Sequence, residues 1–339
     1  MRVLVTGATG FLGSHIARGL VAAGHDVRIL TRPAASHLLV ADLPVEVAIG
    51  DILDPPSLDA AARDMQAVIH AAANMRGSGG LHTRVQSHLL GTRHMLAAAR
   101  RAGVRRFVYV SSVAALGVPD APLSPTDAAA RRMDETHTWN APPDLWPYGY
   151  AKHLSEQEVA GGAGPDLEAV IVNPSIVLGA GDVHRVSNAV VWYMLRGRTL
   201  PVIPGGVGVV HVEDVAEGVR GALERGLPGE RYILNGENLR VEDLLATVAV
   251  VTGRPSPRLR IPFGLARALA DAVDGAARIV APGARPILLQ LAGRYFYFDN
   301  QKAVRELGVS LSRTARDGAQ QAADWYRHKL AASLKLAGS

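Results

Sequence analysis

Tyr148 and Lys152 stand four residues apart, so on a helix they share one face, one turn from each other. A tyrosine with its ordinary pKa of about 10 exchanges protons poorly near neutrality. A nearby ammonium favours the phenolate and brings that pKa toward the working range. Ser112 closes a short apolar run, Phe107–Ser111, and would sit at the carboxyl edge of a sheet, where α/β folds hold ligands. Its hydroxyl would then hydrogen-bond a reacting carbonyl oxygen while Tyr148 transfers the proton. Tyr150 is the rival tyrosine, but its spacing of two from Lys152 directs it to another face.

A second constellation precedes this one. Thr6-Gly7-Ala8-Thr9-Gly10-Phe11-Leu12-Gly13 follows an apolar strand-like run and opens a helical one. Gly7 suits the tight turn, Gly10 lets backbone approach a pyrophosphate, and Gly13 lets helix lie close to strand. Unbonded N–H groups at the helix start then meet the phosphate charge. The next strand runs Asp26-Val27-Arg28-Ile29-Leu30-Thr31-Arg32, with Asp26 before it and no acid at its end. A carboxylate at that end would bind the 2′-hydroxyl of NAD, whereas Arg32 suits the 2′-phosphate of NADP. NADP(H) is therefore the expected cofactor and NAD(H) the alternative, unless Arg32 is only a solvated loop charge. Asp51-Ile52 is placed to meet the adenine, and Ala71-Ala72-Ala73 leaves room for the dinucleotide.

These residues need a scaffold, and the rhythm of the chain supplies one. Val- and Ile-rich runs at Arg2–Thr6, Val27–Thr31, Val45–Ile49, Ala67–Ala71, Phe107–Ser111 and Ala169–Asn173 read as strands. Helical periodicity fills Leu12–Ala23, Ser57–Asp64, Leu81–Ala102 and Tyr148–Ala160. Such alternation, with strands apolar throughout, predicts a doubly wound parallel sheet covered on both faces. After Pro174 glycines and prolines crowd the chain, then helices are expected at Glu213–Glu224, Val241–Gly253, Phe263–Ala281 and Ser312–Lys329. We place a dinucleotide-binding domain at 1–173 and a smaller, mostly helical substrate lobe at 174–339, with about 209–240 returning to the main sheet. Helix Phe263–Ala281 carries Arg267 and Arg278, but Asp271 and Asp274 cancel them, so it reads as a cap over a cleft rather than a membrane-surface helix.

Composition narrows the class. The 339 residues carry a formal charge of +5, are 48% hydrophobic and 20% charged, and include no cysteine. Disulfides, thiolate metal sites and cysteine nucleophiles are excluded, and no metal site is expected. Basic residues are scattered rather than blocked, which gives no support to nucleic-acid binding. No charge-free apolar stretch approaches the roughly 18 residues of a spanning helix, and the N-terminal apolar run breaks at Gly7. The expected setting is the cytoplasm.

The chain resembles the extended short-chain dehydrogenase/reductases over almost its whole length. It is most similar to dihydroflavonol reductase-like proteins and to the bacterial group called hopanoid-associated sugar epimerases. The resemblance rests on the glycine turn, Phe107-Val108-Tyr109-Val110-Ser111-Ser112, Val172-Asn173-Pro174-Ser175, His211-Val212-Glu213-Asp214 and Arg231-Tyr232-Ile233-Leu234-Asn235-Gly236. It implies that Ser112, Tyr148 and Lys152 act as a triad, that Asn173-Pro174-Ser175 flanks the nicotinamide, and that helices 81–102 and 148–160 pair into a homodimer's four-helix bundle. Val110 and Ser111 line the same cofactor groove.

Two departures from the family pattern stand out. His88 occupies the place of an Asn that holds a water beside the lysine in the family's proton relay. It either takes over that relay or is a helix residue facing a dimer partner. Nucleotide-sugar epimerases and dehydratases also carry an arginine for the diphosphate where Val207 stands here. Arg32 and Val207 together favour an NADPH-dependent ketoreductase acting on a small or polycyclic apolar ketone. A sugar or nucleotide-sugar epimerase or dehydratase is the alternative. A redox-sensing binding module with the same fold would not need the intact triad.

Overall fold

The computed structural model describes residues 1–72, 81–119, 127, 131–198, 200–266, 268 and 292–337. Seven strands form the main sheet: β1 (Arg2–Thr6), β2 (Asp26–Thr31), β3 (Glu46–Ile49), β4 (Ala67–His70), β5 (Arg106–Val110), β6 (Glu168–Pro174) and, once β7 (Ile176–Leu178) and β8 (Gly206–His211) have left for a second sheet, β9 (Arg231–Leu234). Their spatial order is β3-β2-β1-β4-β5-β6-β9, and every pairing is parallel. The chain winds outward from β1 to β3, then returns to β4 and winds the other way. Ligands in such sheets bind beyond the carboxyl ends of the two strands that meet where the order reverses. Here those ends are Thr6-Gly7 and Ala71-Ala72.

The central strands β1 and β4 are apolar at nearly every position because each face has its own cover. Val3 and Val5 face Ile16, Ala17 and Leu20 of α1 (Phe11–Ala22). Leu4 and Val68 face the opposite layer, with Leu58 of α2 (Pro55–Ala62) and Met95 of α3 (Leu81–Arg101). α4 (Pro147–Gly162) packs beside α3. The α1 face is completed from far along the chain. Val215 and Val219 of α6 (Val212–Glu224) join that core, as do Ala303 and Leu307 of α8 (Gln301–Leu307) and Leu311 beyond it. Asp214 is fully buried and anchors this return: it accepts from the Arg313 backbone N–H at 3.0 Å and pairs with the Arg313 guanidinium.

A second sheet of four strands forms beside the main one. β8 is its hub, paired antiparallel with β10 (Glu237–Arg240) and parallel with β7 and β11 (Tyr295–Phe296). Its core joins Leu178 and Val209 to Met194 of α5 (Ala189–Leu195), Leu245 and Val248 of α7 (Val241–Thr252), and Ala319 and Tyr326 of α9 (Ala315–Ala337). Ala73, and helix Phe263–Ala281 beyond its first turn, lie outside the described residues. No helix among the described residues is long and apolar enough to cross a membrane.

Candidate active site

The glycine turn is built so that side chains cannot enter it. Gly7 has φ of 75°, and a Cβ there would lie 2.8 Å from the Ala71 carbonyl carbon. A Cβ on Gly13 would overlap the Gly7 carbonyl. Gly10 caps the start of α1 with no side chain bonded to the first N–H groups, the arrangement that receives a phosphate. Thr6 fixes the opposing strand end: its Oγ1 bonds His70 Nδ1 at 2.8 Å and accepts from the Ala72 N–H at 3.2 Å. Burial drives the His70 pKa down to about 3, so this imidazole stays neutral.

A cavity of about 1380 Å³ runs from this turn into the second lobe. Thr6, Gly7, Thr9, Gly10, Phe11, Leu12 and Gly13 line one end of it, with Ala71 and Ala72 across from them. Arg32, exposed just past β2, and Asp51 and Ile52, past β3, border it as well. Arg32 makes no ion pair among the described residues, and Asp26 lies at the far end of β2. Val110, Ser111, Ser112, Tyr148, Lys152, Pro174 and Ser175 also reach the cavity. Asn173 does not line it.

Ser112 sits two residues beyond β5, at the start of a 3₁₀ turn (Val113–Leu116), where its Oγ accepts from the Ala114 N–H at 3.2 Å. Tyr148 and Lys152 occupy successive turns at the start of α4, whose first residue, Pro147, suits a helix start. Tyr150 turns away, its ring packed on Trp139 at 5.7 Å between centroids. Lys152 is 3% exposed; its Nζ donates to the Val110 carbonyl at 2.9 Å and to the Tyr109 hydroxyl at 3.4 Å. Burial lowers its pKa to about 8, against an upward pull from Glu156. The Tyr148 phenol is raised by burial, and the Ser112 hydroxyl only partly offsets this. The protein by itself therefore moves Tyr148 opposite to the expected direction, because desolvation of the phenolate outweighs the groups that favour it. His88 lies buried on α3 with its ring edge-on to Tyr148, 6.3 Å between centroids, rather than on an outer helix face.

Glu156 went unnoticed in the sequence. It follows Lys152 by one more helical turn and is 5% exposed. Its Oε1 accepts from Asn173 Nδ2 at 2.6 Å, and its Oε2 from Arg231 Nη1 at 3.2 Å. Asn173 Nδ2 also donates to the Ser112 carbonyl at 2.9 Å, and Arg231 Nε to the Glu135 carbonyl at 2.9 Å. Asn173 thus ties β6 to the Ser112 turn, and the network joins α4, β6 and β9 behind the reactive side chains. The i, i+4 spacing from Lys152 was the available signal; its partners are remote in sequence.

Toward the second lobe the wall becomes apolar: Val207, Leu244, Leu245, Ile203, Phe296 and Phe298. Phe296 packs edge-on against Trp146, one residue before α4, at 5.6 Å. Arg294 also reaches the wall, its guanidinium donating to the Pro119 carbonyl. His184 and Tyr193 line the cavity, whereas Trp192 packs on Tyr326 at 5.2 Å. Among the described residues no group of three or more His, Asp or Glu side chains could hold a metal ion.

Residues 3–234 match the model of the NAD dependent epimerase/dehydratase family. A Synechocystis sp. protein bearing the name of a dihydroflavonol 4-reductase is 31% identical over 96% of this chain and 94% of its own. The 4-hydroxy-2-methyl-3-oxo-4-farnesyl-3,4-dihydroquinoline-1-oxide ketoreductase of Stigmatella aurantiaca is 31% identical over 94% of each chain. Among solved structures, a nucleoside-diphosphate-sugar epimerase from Pseudomonas aeruginosa is similar with a TM-score of 0.80 and 30% identity, over 97% of this chain and 98% of that one.

Proposed function

The chain belongs to the NAD dependent epimerase/dehydratase family and is an oxidoreductase of the extended short-chain dehydrogenase/reductase type, and from this we propose that it is an NADPH-dependent ketoreductase of apolar ketones. The observation that carries the proposal is the single cavity joining the glycine turn, the Ser112–Tyr148–Lys152 group and an apolar wall around Val207 and Phe296. NADPH when bound supplies the hydride to the carbonyl carbon. Tyr148 Oη gives its proton to the carbonyl oxygen, and Ser112 Oγ donates a hydrogen bond to the same oxygen. Lys152 holds the cofactor ribose and its positive charge favours the phenolate left behind. The glycine turn with the start of α1 fits a pyrophosphate, since added Cβ atoms at Gly7 and Gly13 would collide with backbone.

Arg32 supports NADP(H), because it stands at the end of β2 with no carboxylate beside it. On this reading residues 1–173 hold the cofactor and 174–339 mainly shape the substrate pocket; of the segment about 209–240, α6 and β9 return to the main sheet, whereas β8 and β10 join the second. Ser175 completes the cofactor contacts, and Asn173 contributes by positioning the Ser112 turn. Two protomers associate through α3 and α4 as a closed homodimer. A native mass of one chain at micromolar concentration would remove that part. Names among the relatives favour reduction, the Stigmatella ketoreductase acting on a farnesylated ring system. Arg294 in the wall keeps the sugar-nucleotide epimerase or dehydratase reading as the alternative.

The test is NADPH oxidation against a panel of apolar ketones, run beside epimerisation assays on nucleotide sugars. NADPH turnover with an apolar ketone is the expected result. A protein that retains NAD through purification and interconverts sugar nucleotides would overturn the reductase reading.

A further inference from the structure

Beside the apolar end of the cavity lies a surface made by residues 183–186 and the end of α5. His184, Val186 and Tyr193 belong both to this surface and to the cavity wall. Val183 is 44%, Val186 46% and Tyr193 39% exposed. Apolar side chains grouped in this way at a cavity edge mark a contact surface.

The surface is also strongly basic. The Arg185 guanidinium lies 4.0 Å over the Trp192 ring centre and that of Arg196 5.7 Å from it, while Arg198 lies 5.4 Å from the Tyr193 ring centre. These arginines border a hollow of about 640 Å³ with His184, Trp192 and Tyr193. Arg254 adds a fourth cation: its Nη2 donates to the Leu195 carbonyl at 2.9 Å, and its Nη1 would lie 3.9 Å from a Cβ placed on Gly197. None of the four pairs with a carboxylate among the described residues, whereas Arg18, Arg93, Arg220 and Arg313 all do. Asp182, the acid nearest in sequence, is 3% exposed and does not offset them at the surface. Four like charges gathered in one place repel one another, and an anionic surface opposite them relieves that repulsion.

We propose that this patch docks the protein on a bilayer containing anionic lipid. Val183, Val186 and Tyr193 enter the headgroup boundary, and Arg185, Arg196, Arg198 and Arg254 meet lipid phosphates. The mouth beside His184 and Tyr193 then opens at the bilayer, where an apolar ketone would partition. This last step rests on the ketoreductase reading; the docking does not.

Cosedimentation of the full chain with phosphatidylcholine vesicles, with and without phosphatidylglycerol, tests it. Binding should require phosphatidylglycerol and weaken with added salt. Each arginine near an anionic surface is worth about fivefold in partition, so Arg185→Glu/Arg196→Glu/Arg198→Glu should bind at least about 100-fold more weakly. Val183→Ser should bind several-fold more weakly, through lost apolar insertion. The triple variant should keep its thermal unfolding temperature and its NADPH turnover with a water-soluble ketone. No binding to phosphatidylglycerol vesicles, or equal binding by the folded triple variant, overturns the proposal; so does capture of an acidic protein by this patch with no vesicle binding. Vesicle binding without ketone turnover would leave docking in place and sink the ketoreductase reading instead.

Discussion

The two sheets of this protein obey different constraints. In the main sheet every pairing is parallel, and the strands at its centre are buried on both faces, so its order and the glycine turn are dictated by backbone geometry. The second sheet has strands of three, six, four and two residues around one hub, and its walls vary in chemistry from Val207 to Arg294. On the proposed reading, the first kind of structure positions the groups that every substrate meets and the second selects which substrate meets them.

That division can be broken most severely at Tyr148. Tyr148→Phe keeps the ring and its packing but removes the proton, so turnover should fall about 10²–10⁴-fold while NADPH binding persists. Stopped-flow and equilibrium titration would read both. Tyr150→Phe, whose ring sits on Trp139, should turn over normally; the reverse pattern would undo the placement of the helix face.

A smaller loss is expected from Arg32→Ala, confined to one cofactor. Fluorescence titration should show NADPH affinity about 10–100-fold weaker and NADH nearly unchanged, the usual worth of a charged hydrogen-bond pair. Equal losses for both cofactors would leave the selectivity argument without support. Phe296→Ala, across the division, should raise KM for an apolar ketone about 10-fold with both cofactor affinities intact. If instead it weakened NADPH, the division between the regions would not hold.

The smallest effect is a displacement in pH. Lys152 is an ammonium below its pKa of about 8 and loses that charge as pH rises through it, so turnover should decline on the alkaline side. Glu156 supports the ammonium, and Glu156→Gln should therefore start that decline at lower pH. A purely structural role for Glu156 would lower activity at every pH and leave the limb in place.

The main sheet was legible because each of its elements carries its own evidence. Val3, Leu4 and Val5 are apolar at successive positions, Gly7 and Gly13 mark a turn that admits no Cβ, and Tyr148 and Lys152 share a helix face by spacing alone. The small strands gave no such signal. β11 is two residues long, and β7 follows β6 after only Ser175, so periodicity has nothing to act on. The Glu156 network was hidden for a related reason: Asn173 and Arg231 meet it only once β6 and β9 are side by side. Asn173 is expected beside the nicotinamide from its motif; its Nδ2 also donates to Glu156 and to the Ser112 carbonyl, partners that no motif announces.

The late arrival of α6 and α8 on the α1 face bears on how the chain is made. When residue 173 leaves the ribosome, β1, β4, β5 and β6 are all synthesised, yet one face of their core still lacks Val215, Val219, Leu307 and Leu311. At roughly 5–20 residues per second, the remaining stretch to Leu311 takes about 7–28 s to emerge. For that interval the part of this face that α1 does not cover stays open to its surroundings. Chaperone capture during translation, or aggregation in its absence, would act on that face first.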